Sequence, residues 1–205
     1  MIKVKSLGII EYKETLELMT SFPNSRENSL DNNIWLLQHP PVFTQGKNGK
    51  SENLIQRKKI PIVQSDRGGD ITYHGLGQGI CYFLLNLKKI QLGIKKLVYI
   101  IEESCIDLLS TFDLKGERIN NAPGIYIEKK KIASLGLRIK KNRTYHGIAI
   151  NNNMDMSPFK QINPCGFKDL EMTQLKDFGI VVNTEKLMKQ YGSIFLKNLN
   201  SETLY

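Results

Sequence analysis

The chain has 205 residues, of which 40% are hydrophobic and 8% aromatic, enough for a proper core, and this length predicts one domain over residues 1–205. No window holds the roughly 18 uninterrupted apolar residues that a membrane span needs, and residues 1–10 lack the pattern of a signal peptide, so we expect a cytoplasmic protein with no membrane partner. The net charge of +9 favours an acidic partner, but the basic pairs are scattered and no aromatic stripe accompanies them, which argues against nucleic acid.

Hydrophobic periodicity predicts an α+β fold in which mixed or antiparallel sheets are flanked by helices. In chain order, the predicted elements are a helix over 10–19, strands in NIWLLQH, IPIVQS and GICYFLLNL, a helix over 97–112, strands in GIYIE, KIASLGLRI and TYHGIAIN, and a C-terminal helix around 187–195. The last three strands are joined by short polar turns, which indicates an antiparallel meander. Asn183 or Thr184 is a plausible cap of the last helix.

The three cysteines differ in their surroundings. Cys81 lies in an apolar run and Cys105 on the apolar face of a predicted helix, so both are expected to be core residues. Cys165, in INPCGFKD, follows a proline and precedes a glycine, a turn setting that suits an exposed functional thiol. No C-x-x-C or H-E-x-x-H spacing occurs, so we expect neither a disulfide framework nor a metal site.

A glycine-rich segment, DRGGDITYHGLGQG, covers residues 66–79. It matches neither of the common phosphate-binding glycine motifs. A run of tight turns would explain it. The density of polar residues between two apolar strands instead favours a binding loop whose backbone approaches a ligand closely.

Six motifs in a fixed order resemble those of one enzyme family: HPPVFTQGK, RGGDITYHGLGQ, APGIYI, KIASLGLRI, YHGIAIN and INPCG. They span residues 34–166 and resemble the octanoyltransferases of lipoate synthesis, which share an α+β fold with biotin and lipoate protein ligases. Leu76 stands where these enzymes usually have proline, so the shape of that loop is the one point of departure. His74 is expected to orient polar groups, His146 to make a structural hydrogen bond, and His39 to serve a turn.

The resemblance assigns roles to particular residues. It implies that Cys165 is the nucleophile and Lys131 its catalytic partner. It also implies acyl-binding segments, which comprise Arg67, Gly68, Gly69, Asp70, Ile71, Thr72, Tyr73 and His74, then Ser134, Leu135 and Gly136, and finally Gly147, Ile148 and Ala149.

The implied reaction moves an octanoyl group from octanoyl-acyl carrier protein, through a thioester on Cys165, to a lysine of lipoyl domains. The acceptors would be the lipoyl domains of 2-oxoacid dehydrogenases and the glycine cleavage H protein, and the enzyme would act as a monomer without a cofactor or metal. A thiolate must form near neutral pH, which is the role implied for Lys131. Three alternatives stay open: an ATP-dependent ligase on the same scaffold, a thioesterase that uses Cys165, and a basic nucleic-acid-binding module.

Overall fold

The computed structural model describes residues 2–24, 32–55, 59–166 and 170–203, without the side chains of residues 51, 165 and 203. The helices are α1 (Tyr12–Ser21), α2 (Ile94–Ser110) and α3 (Thr184–Thr203). The strands are β1 (Ile2–Ile9), β2 (Asn32–Gln38), β3 (Val42–Gln45), β4 (Ile62–Gln64), β5 (Ile71–His74), β6 (Gln78–Leu84), β7 (Glu117–Ile119), β8 (Ala122–Ile127), β9 (Lys130–Lys140) and β10 (Arg143–Asn151).

Two sheets form the scaffold. The larger has the strand order β1-β2-β6-β10-β9-β8-β7, and the smaller has the order β4-β3-β5. The β1–β2 and β3–β4 pairs are parallel, and the other pairs are antiparallel. This is the mixed α+β architecture predicted from the sequence, in which helices flank the sheets.

The predicted meander is confirmed, and its turns have a clear local cause. β8, β9 and β10 pair antiparallel in succession. Glu128 and Lys129 join the first two strands with positive φ at both positions, and Lys141 and Asn142 do the same for the next two. Positive φ at two central residues is the backbone of the tight hairpin turn whose twist matches that of the strands.

The main core lies between the large sheet and helices α2 and α3. The predicted stripe on α2 is buried from Leu97 to Leu108, and Leu187, Tyr191 and Phe195 of α3 pack against the same core. The α2 helix ends at Ser110, so Phe112 lies beyond it and is half-buried. Asn183 caps α3, because its side-chain oxygen accepts a hydrogen bond from the Lys186 amide at 3.1 Å.

The opposite face of the large sheet packs against α1 in a second apolar cluster, and β6 and β10 are buried along their whole length. Sequence patterning did not indicate β1, β3, β5 or β7, which are short, exposed or polar. Within the described residues, no helix combines the length and apolar character needed to cross a membrane.

Candidate active site

The glycine-rich segment closes against β9 through backbone contacts. The amide of Gly68 donates a hydrogen bond to the carbonyl of Leu137 at 3.1 Å. A Cβ added at Gly136 would lie 3.1 Å from the Gly68 oxygen, so this approach leaves little room for a side chain. The buried Arg67 guanidinium donates to the Thr44 carbonyl at 2.6 Å and to the Gly68 carbonyl at 3.0 Å, which fixes the loop from inside.

A small cavity of about 50 Å³, partly open to solvent, lies between this loop and strands β9 and β10. The lining consists of Tyr12, Arg67, Gly68, Gly69, Thr72, His74, Ile80, Tyr82, Ser134, Leu135, Gly136, His146, Gly147, Ile148 and Ala149. Aliphatic side chains and glycine backbone predominate over charged groups, so the cavity suits an apolar ligand.

The structure brings most of the predicted acyl-binding residues to this one cavity. All of those predicted on β9 and β10 line it, as do Arg67, Gly68, Gly69, Thr72 and His74. Three others do not. Because side chains alternate along a strand, Ile71 and Tyr73 of β5 face a separate apolar cluster with Phe43 and Phe159.

Asp70 is the third residue that the cavity excludes. Its buried carboxylate accepts hydrogen bonds from the Asn53 side chain and the Ile71 amide, each at 2.6 Å. An acyl-binding role for Asp70, Ile71 or Tyr73 is therefore not supported by where these residues lie.

Four lining residues were not assigned to ligand binding from the sequence, namely Tyr12, Ile80, Tyr82 and His146. Tyr12 was visible only as part of a helical apolar face, and Ile80 and Tyr82 only as part of a buried strand. Periodicity marks such residues as core. It cannot distinguish a core neighbour from the wall of a cavity inside the core.

Two buried histidines beside the cavity are neutral. Burial lowers the pKa of His74 to about 3 and that of His39 to about 4. The His74 Nδ1–H donates to Gln78 Oε1 at 2.7 Å, since Gln78 Nε2 already donates to Asn151 Oδ1.

His39 was expected in a turn, but its ring is buried and braces the wall of the cavity. Its Nδ1–H donates to the Ile10 carbonyl at 2.6 Å, and its Nε2 accepts from the Tyr82 hydroxyl at 2.9 Å. The signal for this role, a histidine directly after a buried strand, was too weak to be read from the sequence.

His146 lies within β10 in a conformation that strands rarely contain. Its φ is +61°, although its side chain is only 1% exposed. The Nε2 atom is 2.9 Å from Asp66 Oδ1, in agreement with the predicted structural hydrogen bond. Burial opposes ionisation of Asp66, but hydrogen bonds from His146 and Tyr145 lower the pKa of this carboxyl to about 2. Within the described residues, His146 Nδ1 has no hydrogen-bond partner.

Lys131 is buried at the start of β9, with only 1% of its surface exposed. Its ammonium nitrogen lies 5.4 Å from the centre of the Tyr126 ring. Gly124 makes room for the aliphatic stem: its φ is +122°, and a Cβ there would lie 2.7 Å from Lys131 Cε. The Lys131 backbone is held on its other side, because its amide donates to the Glu171 carbonyl at 2.8 Å and its carbonyl accepts from the Thr173 amide at 2.9 Å.

Cys165 lies in the 3₁₀ turn Pro164–Gly166, as expected for a thiol in a turn. The side chain of Cys165 lies outside the described part of the structure, so its expected proximity to Lys131 stays a prediction. The backbone links the two regions nonetheless. Asn163 and Pro164, just before the cysteine, share one surface groove with Glu171 and Met172, which pair with Lys131. Cys81 and Cys105 are fully buried in the core, and burial raises the pKa of both thiols, so the predicted sorting of these two cysteines is confirmed.

Comparison with solved structures identifies the fold. Lipoate-protein ligase A bound with ATP matches 97% of this chain and 85% of its own chain with a TM-score of 0.78. Protein Ta0514 of T. acidophilum with bound lipoic acid gives a TM-score of 0.79, and biotin protein ligase from Aquifex aeolicus gives 0.58. All three are 14% identical in sequence to this chain, which supports a shared fold and nothing more specific.

Comparison with the sequences of relatives is more specific. An octanoyltransferase of Francisella tularensis subsp. novicida (strain U112) is 49% identical over 198 residues, which cover 96% of both chains. An octanoyltransferase of Stutzerimonas stutzeri (strain A1501) is 51% identical over 174 residues, covering 85% of this chain and 80% of the other. The model of the lipoyl protein ligase A/B catalytic domain matches residues 11–195. The chain therefore belongs to the lipoyl protein ligase A/B catalytic domain family and groups there with the octanoyltransferases, which are acyltransferases.

Proposed function

We propose that this protein transfers an octanoyl group from octanoyl-acyl carrier protein to a lysine of a lipoyl domain, through a thioester on Cys165. The observation that carries the proposal is the fully buried Lys131 on the strand that also lines the apolar cavity. Lysine is almost never fully buried without a specific reason, and desolvation of its ammonium costs stability. A role in proton transfer would explain why the chain retains it.

The cavity suits the acyl chain. Leu135, Ile80 and Ile148 supply apolar surface, and the glycines at 68, 136 and 147 add backbone without side chains. The histidines beside it are neutral, because burial holds their pKa values below the physiological range. Neutral histidines impose no charge that the octanoyl chain must desolvate when it enters, and the charged Arg67 in the lining is held by the Thr44 and Gly68 carbonyls.

In the first step, the Cys165 thiolate would attack the carbonyl carbon of the octanoyl thioester. The bond from this carbon to the carrier sulfur would break, and the carrier sulfur would take a proton from the Lys131 ammonium and leave as a thiol. Lys131 would favour the thiolate, as a neighbouring ammonium does for other reactive cysteines. One thioester replaces another, so the step requires no ATP.

In the second step, the ε-amine of the acceptor lysine would attack the Cys165 thioester. The carbon–sulfur bond would break, an amide would form, and the Cys165 sulfur would be released as the leaving group. The attacking amine must lose a proton, and Lys131 would accept it as general base. A lysine can accept a proton only in its neutral form, and Lys131 would be neutral after it gives a proton to the departing carrier thiol in the first step.

The proposal is tested by incubating the protein with octanoyl-acyl carrier protein, in the absence of acceptor and ATP. Mass spectrometry should find one octanoyl group on Cys165 and none on Cys81 or Cys105, and hydroxylamine should remove it. Cys165→Ala should abolish both the adduct and octanoyl transfer to a lipoyl domain. Transfer that required ATP would indicate a ligase, and release of free octanoate without an acceptor would indicate a thioesterase. Near wild-type transfer by Cys165→Ala would refute the covalent route.

A further inference from the structure

The turn that carries Cys165 is tied to the glycine-rich segment through two buried polar side chains, Asn53 and Asp70. Asp70 comes just before β5, and its carboxylate accepts from Asn53 Nδ2 and from the Ile71 amide, each at 2.6 Å. A third, longer bond comes from the Lys50 amide at 3.3 Å. These bonds direct the carboxylate to the segment around residue 53.

Asn53 connects this carboxylate to the residue two positions before Cys165. Its carbonyl accepts from the Asn163 amide at 2.8 Å, and its Oδ1 accepts from Asn163 Nδ2 at 3.3 Å. The orientation of the Asn53 amide is set by chemistry, because only its Nδ2 can donate to the carboxylate and only its Oδ1 can accept from Asn163. Next along the chain, the Ile55 amide donates to the Gln161 carbonyl at 2.8 Å and extends the pairing.

The residue after Cys165 approaches the same two side chains. Gly166 has φ of +79°, and its amide closes the turn on the Asn163 carbonyl at 3.0 Å. A Cβ added at Gly166 would lie 3.2 Å from Asp70 Oδ2 and 3.6 Å from Asn53 Nδ2. Contacts with Asn53 and Asp70 therefore fix the chain on both sides of the cysteine.

We infer that Asp70 and Asn53 are positioning residues for the nucleophile turn, and that Asp70 does not bind the acyl chain. The inference rests on the proposed role of Cys165 as nucleophile. It accounts for a buried carboxylate that lies in the glycine-rich segment but outside the cavity. A displacement of about 1 Å at a reacting atom can slow a reaction about 100-fold, so a loosened turn should reduce the rate of acylation while acyl binding is retained.

The test compares Asp70→Asn, Asn53→Asp and the double variant that exchanges the two residues. Asp70→Asn places one amide nitrogen against another, and Asn53→Asp places two carboxylates together. In the exchanged pair, the amide introduced at position 70 would donate to the carboxylate introduced at position 53, whose other oxygen would accept from Asn163. The side-chain bonds between these positions are thereby restored with the donor and acceptor reversed.

We expect each single variant to lower the maximal rate of Cys165 acylation by about 10- to 100-fold, with the half-saturating concentration of octanoyl-acyl carrier protein changed less than about threefold. The exchanged pair should recover most of the rate. Asp155→Asn is the matched control, since that carboxylate is exposed and accepts a hydrogen bond from the Ser157 amide in its own turn. Thermal melts show whether each variant is folded. If Asp70→Asn does not fold, Asn163→Ala takes its place, because it removes only the side-chain link to Asn53. This variant should lower the maximal acylation rate by a smaller factor.

An acyl-binding role for Asp70 would give the opposite split: a raised half-saturating concentration, an unchanged maximal rate, and no rescue by the exchange. That result would overturn the inference, as would wild-type acylation by Asp70→Asn. If wild-type protein formed no Cys165 adduct at all, the proposed function would fail first, so the two failures are distinguishable.

Discussion

Replacing Lys131 by methionine should separate the contribution of this residue to activity from its contribution to stability. Methionine has nearly the length and volume of the lysine stem, so little cavity or overpacking energy is expected. The variant loses the interaction of the ammonium with the Tyr126 ring at 5.4 Å, worth about 2 kcal/mol when desolvated. It also removes a charge whose desolvation costs several kcal/mol. The free energy of unfolding should therefore be unchanged or raised by about 1–3 kcal/mol.

Activity should change in the opposite direction. Loss of a general base slows a reaction by about 100- to 10,000-fold, so both acylation and transfer should fall by that order. Thermal denaturation measures the first quantity, at about 2–4 °C per kcal/mol for a chain of this size, and single-turnover acylation measures the second. Lys129→Met is the control, because Lys129 is exposed in the adjacent turn. A melting temperature more than about 4 °C below wild type in Lys131→Met would show that the lysine is structural and would refute the reasoning.

Three further outcomes are expected. Stability should fall below pH 6.5, because buried His39 and His74 stay neutral, with pKa values of about 4 and 3, whereas the unfolded chain takes up both protons near pH 6.5. The free energy of unfolding should therefore drop by up to about 2.7 kcal/mol per pH unit between pH 6 and 4. Urea titrations that give the same free energy of unfolding at each pH would contradict this. Gly124→Ala should slow acylation at least about tenfold, because the added Cβ would contact the Ala133 carbonyl and Lys131 Cε, with strain of about 1–3 kcal/mol. Gly93→Ala is the control, since no atom lies within 4 Å of its Cβ. Equal acylation rates in the two variants would show that the contact at Gly124 does not affect the reaction. Higher salt should weaken carrier protein binding through slower association, given the net charge of +9; stopped-flow rates that do not vary with salt would remove charge from the docking.

The long elements were predictable because their patterns are strong. Helix α2 has an apolar stripe, and the three meander strands alternate with short polar turns. The strand β5 was missed, since Ile71–His74 lies within a segment whose glycines and polar residues indicate a loop. Its partner strand, β3, comes from an earlier part of the chain, and local composition carries no signal of such pairing.

The candidate site residues were predicted in a different way. Nothing in composition distinguishes Lys131 from Lys129 and Lys130, and only the ordered motifs selected it. The motifs also placed Asp70 with the acyl-binding residues, because a motif records position in the chain and not the side to which a residue faces. The strand alternation that separates Thr72 and His74 from Ile71 and Tyr73 became visible only once β5 was seen.

Three features that local rules disfavour are concentrated in one region of the molecule. His146 has positive φ inside a buried strand, Lys131 is a fully buried lysine, and Gly124 adopts a conformation that leaves room for its stem. Each costs stability in a chain that has only to fold. His146 lines the apolar cavity, and the other two lie on or beside the strand that forms its wall. Sites where local preferences are overridden are where function is expected, so this clustering supports the same region as the active site without reference to any relative.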